Sequence, residues 1–415
     1  MYSEFTSRVL AKKSSFDFVA AHFACEADKF SPENPNGYVN LGSAQNFLSK
    51  QDISLRLKTL DWNSEDTHYR KFSGTDSCRA AVAGYLSELS GQAIDADHVA
   101  VGNGLISVLE ALSIAILDPE EIVLVPTPVF PGLVTALTSR TRARFVAMET
   151  RPENGFLFTP ETLFAELQRQ SGLGQKVKAV LLCSPGNPIG QVYSSAQIAN
   201  FVSLAEEFEI ALIVDEIYAS SCFEGVSFVS ALSQKSDNVF VIGGLSKDFG
   251  LAGFATGWVH TTHQGILQSL NKQSHFFRLS APIQRAIESF LEPQWRHAFS
   301  QQNRSKLTQC YQLASKNLEG MGVGVTSARA GLVLWLDLRK YLKSADGAGE
   351  LELYQYLLQQ HRVHVSPGSG FHVSRSGFYR ICFSQQQDTL VEGLRRIQQG
   401  LQQFSSISGK HILEV

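Results

Sequence analysis

An α/β fold built on a mostly parallel, doubly wound sheet is predicted by two features of this chain. From about residue 75 to 290, short apolar runs alternate with longer amphipathic stretches. Several of those runs end in turns rich in Gly, Pro, Asn or Asp, where an open parallel sheet places its active-site loops. The strand candidates, in order, are residues 99–102, 122–125, 144–148, 179–183, 211–214, 240–242 and 255–260. Helix-like stretches lie between them at 77–89, 105–116 and 195–208. A long helical region at 281–318 follows. Strand-like segments at 331–338 and 379–383 and an amphipathic helix at 388–404 then predict a smaller α+β domain. The expected division is a large domain at 50–290 and a small one made from 1–49 and 291–415.

Composition narrows the function classes. The chain has 415 residues, 44% hydrophobic and 18% charged, enough for two or three globular domains. A net charge of −3 gives no basic footprint for nucleic acid. No apolar run reaches the length of a membrane span, and residues 1–13 show no secretory signal. The six cysteines are scattered, with no CxxC or Cys/His cluster, so neither a zinc site nor a disulfide framework is expected. A reducing, cytoplasmic setting is the default, with isolated cysteines such as Cys183 read as small core residues.

The residues that carry chemistry sit at strand ends. The octapeptide 244–251, Gly-Leu-Ser-Lys-Asp-Phe-Gly-Leu, follows an apolar run and holds Lys247 beside Ser246. Desolvation there would lower the amine pKa and make it a Schiff-base nucleophile, although the octapeptide alone also suits a surface lysine. Asn187, in the Pro/Gly-rich 184–190 turn, can donate to a phenolate oxygen, or belong to a plain turn. Asp215 and Tyr218 are three apart and would share a face on one helical turn, with Asp215 either holding a ring nitrogen protonated or capping a helix. Gly104, opening the helix that starts Leu105-Ile106, brings backbone N–H groups toward an anion or simply makes a turn. Arg380 lies inside an apolar strand and needs a partner, either a substrate carboxylate or a structural salt bridge.

Asn187-Pro188, Asp215-x-x-Tyr218, Lys247 and Arg380, in this order, resemble the fold-type I pyridoxal-phosphate enzymes of the class I/II aminotransferase family. The resemblance is nearest to the branch containing 1-aminocyclopropane-1-carboxylate (ACC) synthases. Segments 36–46, 69–74, 125–132, 330–339 and 365–371 carry it along most of the chain. It implies a large domain with a mostly parallel seven-stranded sheet, pyridoxal 5′-phosphate as cofactor and an α-amino acid as substrate. Lys247 would hold the cofactor in Schiff-base linkage and, once freed in the external aldimine, remove the Cα proton. Asp215 would pair with the pyridine nitrogen, Tyr218 and Asn187 would bond the ring oxygen, and Phe130 would stack on the ring. Gly104, Leu105, Ile106 and Ser246 would face the phosphate. Tyr69 would reach the phosphate of the neighbouring subunit, which implies a homodimer. Arg380, Ala44 and Asn187 would bind substrate, and no metal is implied. The reaction would be aminotransferase-like or ACC-synthase-like (γ-elimination or cyclisation).

The chain departs from that pattern at the phosphate. Gly244 stands where the family has Ser or Thr, Ala255 where it has Arg, and Ile106 where it has Thr. Gln45 replaces a glutamate. Arg278 is a candidate replacement cation. The altered cup motivates a second reading, a degenerate homologue serving as a binding or regulatory protein.

Overall fold

The computed structural model describes residues 3–11 and 18–407; parts of the predicted 1–49 and 291–415 segments lie outside the described residues. Helices α1 (Glu4–Ala11) and α2 (Phe18–Ala27), strand β1 (Val39–Asn40) and helix α3 (Lys50–Lys58) lead into the main sheet. Its strands are β2 (Val99–Asn103), β3 (Ile122–Thr127), β4 (Arg144–Glu149), β5 (Val177–Cys183), β6 (Ala211–Asp215), β7 (Val239–Gly243) and β8 (Thr256–His260). They lie in the order β2-β8-β7-β6-β5-β3-β4. Every neighbouring pair is parallel except the two made by β8, which runs against β2 and β7.

Helix α4 (Asp76–Ser90) precedes the sheet, and α5 (Leu105–Ile116), α6 (Pro131–Thr138), α7 (Pro160–Gly172) and α8 (Ser195–Glu207) join its first four strands to their successors. Thr75, Thr159 and Ser194 start α4, α7 and α8 by accepting a backbone N–H from the first turn. Side chains alternate across the sheet. Val123, Val125, Leu181, Ile213 and Ile242 enter one apolar cluster, while Leu124, Val180, Leu182, Val214 and Val241 enter another. Both faces are therefore covered, which is why these strands read as continuous apolar runs.

Helices α9 (Gln264–Phe277), α10 (Ala281–Phe290) and α11 (Pro293–Gly320) follow. The predicted long helical region at 281–318 is helical and is divided into two helices. Pro293 has no N–H to continue α10, and the Glu292 carboxylate caps the new start by accepting from Gln294 and Trp295 N. The smaller part holds β9 (Gly324–Val325), β10 (Val333–Asp337), helix α12 (Gly347–His361), β11 (Val363–His364), β12 (Ser366–Pro367), β13 (Phe378–Cys382) and helix α13 (Gln387–Ile407). Four of these strands form an antiparallel sheet in the order β12-β13-β10-β9, and β11 pairs in parallel with β1.

That last pairing matters for the site. It threads the N-terminal segment across the small sheet, with Leu41 N donating to His364 O and Cys382 N donating to Leu41 O. Gly42 passes so close to His364 that a Cβ would lie 2.2 Å from the imidazole Nε2. The fold therefore brings residues 42–45, the ends of β5, β6 and β7, and Arg380 of β13 to one place, outside the carboxyl ends of the strands.

Candidate active site

These segments enclose a cavity of about 410 Å³. Lys247, in the turn after β7, donates from Nζ to the Ala44 carbonyl at 2.7 Å. Burial lowers its pKa to about 8, and the Arg380 charge adds to the effect. The amine is thus partly neutral near physiological pH. Asp215 ends β6 and is 3% exposed. Its Oδ1 accepts from Ile217 N at 3.0 Å and its Oδ2 lies 3.9 Å from the Cys183 thiol. Burial raises its pKa to about 7. Among the described residues no cation forms an ion pair with it. A buried carboxylate without a cation is a site prepared for a ligand's positive charge.

A second line of contacts crosses the cavity. Asn187 Nδ2 donates to the Tyr218 hydroxyl at 3.3 Å, and Arg380 Nη1 donates to Asn187 Oδ1 at 3.2 Å. Arg380 Nη2 donates to the Gly42 carbonyl at 2.5 Å. The guanidinium is 2% exposed and lies over the Phe371 ring, and its Nε has no partner. Burial pulls its pKa down, so the charge is held against an opposing desolvation cost. No carboxylate pairs with it among the described residues, so the structural salt bridge considered from the sequence is not there.

Ala44, Gly104, Leu105, Ile106, Phe130, Asn187, Asp215, Tyr218, Ser246, Lys247 and Arg380 all line this one cavity. Gly132 makes room for the Phe130 ring, since a Cβ there would come within 2.5 Å of it. Tyr69 does not line it; it is 84% exposed, with the Arg278 guanidinium 5.4 Å from its ring centroid. Arg278 is also exposed and stacks on Phe72, so within one chain it supplies no cation to the cavity.

Two local expectations are corrected. Residues 216–221 form a turn and not a helix, so Asp215 caps no helix and does not share a helical face with Tyr218. The Asp215 carboxylate accepts from the turn's own Ile217 N–H, which competes with helical pairing. Sequence reasoning also missed Asp248. Its buried carboxylate accepts from Ser220 N at 2.8 Å and Ser221 Oγ at 2.5 Å, tying the Tyr218 turn to the lysine turn. Cys183, expected in the core, lines the cavity beside Asp215.

The family model "Aminotransferase class I and II" matches residues 36–397. The chain belongs to the class I and II aminotransferase family. Among curated relatives of this family member, 1-aminocyclopropane-1-carboxylate synthase 1 of Cucurbita pepo is 27% identical over 403 residues, 90% of this chain and 80% of the relative. The synthase 7 of Arabidopsis thaliana is 27% identical over 388 residues, 88% of this chain and 87% of the relative. In fold, the aspartate aminotransferase of Thermotoga maritima superposes with a TM-score of 0.78 at 23% identity, covering 97% of this chain and 100% of that one. The aromatic aminotransferase of Pyrococcus horikoshii gives 0.78 at 21% identity, covering 88% and 96%.

This aminotransferase-family protein is a pyridoxal-phosphate-dependent enzyme. Its residues fit the ring and aldehyde of that cofactor: a depressed amine, a buried carboxylate lacking a cation, and a hydroxyl–amide pair stand around one cavity. The phosphate end is sparser. Among the lining residues the only cations are Lys247 and Arg380.

Proposed function

We propose that the protein acts on an α-amino acid and removes its Cα proton with the Lys247 amine. The observation that carries this reading is the joint placement of a depressed lysine and a buried arginine lacking an anionic partner on one cavity. Lys247 would hold the cofactor, Asp215 would keep the pyridine nitrogen protonated, and Tyr218 with Asn187 would bond the ring oxygen. Phe130 would cover the ring. Gly104, Leu105, Ile106 and Ser246 would face the phosphate. The bound cofactor supplies an electron sink for the charge left on Cα.

Arg380 would take the α-carboxylate in a bidentate pair, next to Ala44 and Asn187. That pairing has a second effect. The Arg380 charge is one reason the Lys247 amine is weakly basic. A carboxylate cancels this charge, so substrate entry raises the basicity of Lys247 when it is needed as a proton acceptor.

A homodimer and a cytoplasmic setting belong to the same proposal. The exposed Tyr69 and Phe276, 84% and 92% exposed, favour a covering partner, and light scattering at twice the chain mass tests this. All six cysteines are free, as a reducing compartment requires. No helix among the described residues is long and apolar enough to cross a membrane.

The reaction is open between transamination and ACC-synthase-like γ-elimination or cyclisation. The test is incubation of holoprotein with pooled amino acids and S-adenosylmethionine. A keto acid identifies transamination, and a cyclic or γ-substituted product identifies the other branch. Lys247→Ala is expected to abolish the visible Schiff-base band and to lower turnover by roughly 10²–10⁴-fold or more. Absence of product from both substrate sets sinks the proposal.

A further inference from the structure

A phosphate monoester bound in a protein carries close to two negative charges. Discrimination for it comes from charge-assisted contacts, and the phosphate end of this cavity is poor in them. Three backbone segments meet there. A Cβ on Gly244 would lie 2.3 Å from Thr256 O, and one on Gly257 would lie 2.5 Å from Gly104 C and 2.6 Å from Leu105 N. Position 244 therefore has no space for a hydroxyl side chain. From these segments Gly104, Leu105, Ile106, Ala252 and Ala255 face the cavity beside Lys247, and Ser246 brings their one hydroxyl. Ser107 is turned away, its hydroxyl donating to the Asn103 carbonyl and lying 3.0 Å from Gly104 O. The first turn of α5 has no side-chain cap, leaving its N–H groups as the main polar donors. Lys247 and Arg380 are committed to Ala44 O and to Asn187 and Gly42 O.

We infer that this site distinguishes poorly between pyridoxal 5′-phosphate and unphosphorylated pyridoxal, and takes either aldehyde onto Lys247. The inference rests on the proposed role of Lys247. Retention then depends on the covalent tether: Lys247 Nζ condenses with the aldehyde carbon, a C=N bond forming as the C=O bond breaks and water leaves. One charge-assisted contact of this kind is a factor of roughly ten to a hundred in affinity. Burying the dianion with no facing cation costs desolvation that offsets what the α5 amides and the Ser246 hydroxyl contribute, so the net preference for the phosphate should not exceed about a hundredfold.

The test is titration of cofactor-free protein with each aldehyde, followed by visible absorbance. Borohydride reduction and mass spectrometry then locate the adduct. The expected result is an adduct on Lys247 with both aldehydes, and dissociation constants within about a hundredfold. Ala255→Arg should tighten pyridoxal phosphate at least tenfold and leave pyridoxal unchanged. Ala255 already has a left-handed backbone (φ +46°), so the new side chain adds no backbone penalty. A preference above about a hundredfold overturns the inference while leaving the proposed function intact. An unchanged ratio in Ala255→Arg also overturns it. Failure of both aldehydes to label Lys247 overturns the inference and the proposed function together.

Discussion

Arg380 is fixed in place by its strand and by two of its three nitrogens. Its strand neighbours Tyr379 and Ile381 are fully buried, so its backbone cannot move it toward water. Two of its nitrogens are satisfied by Gly42 O and Asn187 Oδ1, and Nε is not. A buried cation of this kind is stable only with a counter-ion or a role that repays it. Arg380→Lys keeps the charge and removes the fork. It is expected to raise the KM of the amino-acid substrate about 10–100-fold, with a smaller change in kcat, in steady-state kinetics. An unchanged KM would remove Arg380 from carboxylate binding. The sequence made this residue legible because an arginine in an apolar strand is anomalous. Its companions were not legible: Gly42 and Asn187 lie 338 and 193 residues away. Asp248 was hidden for the same reason, because an acidic residue in a turn looks ordinary until Ser220 and Ser221 are folded onto it.

Between elements, close backbone approach replaces side-chain packing. Strand β8 runs beside β2, and Gly257 meets the start of α5 where no side chain can stand. Gly257→Ala would push a methyl group into Gly104 and Leu105 backbone, neither of which is the flexible end of a side chain. It should destabilise the protein by about 1–3 kcal/mol and loosen cofactor retention. Gly84→Ala in α4 is the matched control: nothing lies within 4 Å of its new Cβ, so it should stabilise by about 0.5–1 kcal/mol. Urea midpoints check both signs, and equal midpoints would refute the close-approach argument. Most of the large sheet could be read from sequence because its strands are buried on both faces and bounded by turn residues. Residues 105–116 were predicted as a helix and are one, and the 255–260 run is strand β8 from Thr256. The β1–β11 pair was invisible, since two-residue strands have no periodicity, yet it is the pair that carries residues 42–45 into the site. The break between α10 and α11 was signalled by Pro293, and the apolar spacing on either side masked it.

At the scale of the whole molecule, buried acids set the pH response. Asp215, Glu216 and Asp248 are raised to about 7, 8 and 7, in each case chiefly by burial. A raised folded pKa means that the folded state holds the proton more tightly than the unfolded chain. The stability these groups contribute is complete below the ordinary carboxylate range near 4 and is lost as pH rises through 7 to 8. His260 and His364 act in the opposite sense. Burial lowers them to about 4 and about 3, so stability rises with pH until their unfolded value near 6.5 is passed. The clean window is therefore pH 6.5–8, where only the three acids titrate strongly. Lys247, lowered to about 8, returns a small part near the upper edge, because its neutral form is the one the fold prefers. Cofactor-free protein should lose stability of the order of 2–3 kcal/mol across this window. Glu216 has the highest pKa of the three and lies outside the cavity lining; its carboxylate accepts from Ser230 Oγ and Ala231 N. A glutamine can keep both of those bonds. Glu216→Gln should accordingly remove about half of the decline without moving Lys247. Urea unfolding at pH 6.5, 7.2 and 8.0, for both proteins, measures the difference. A flat wild-type profile would mean that water or a counter-ion reaches these acids, and a variant as steep as wild type would assign the decline to Asp215 and Asp248 alone.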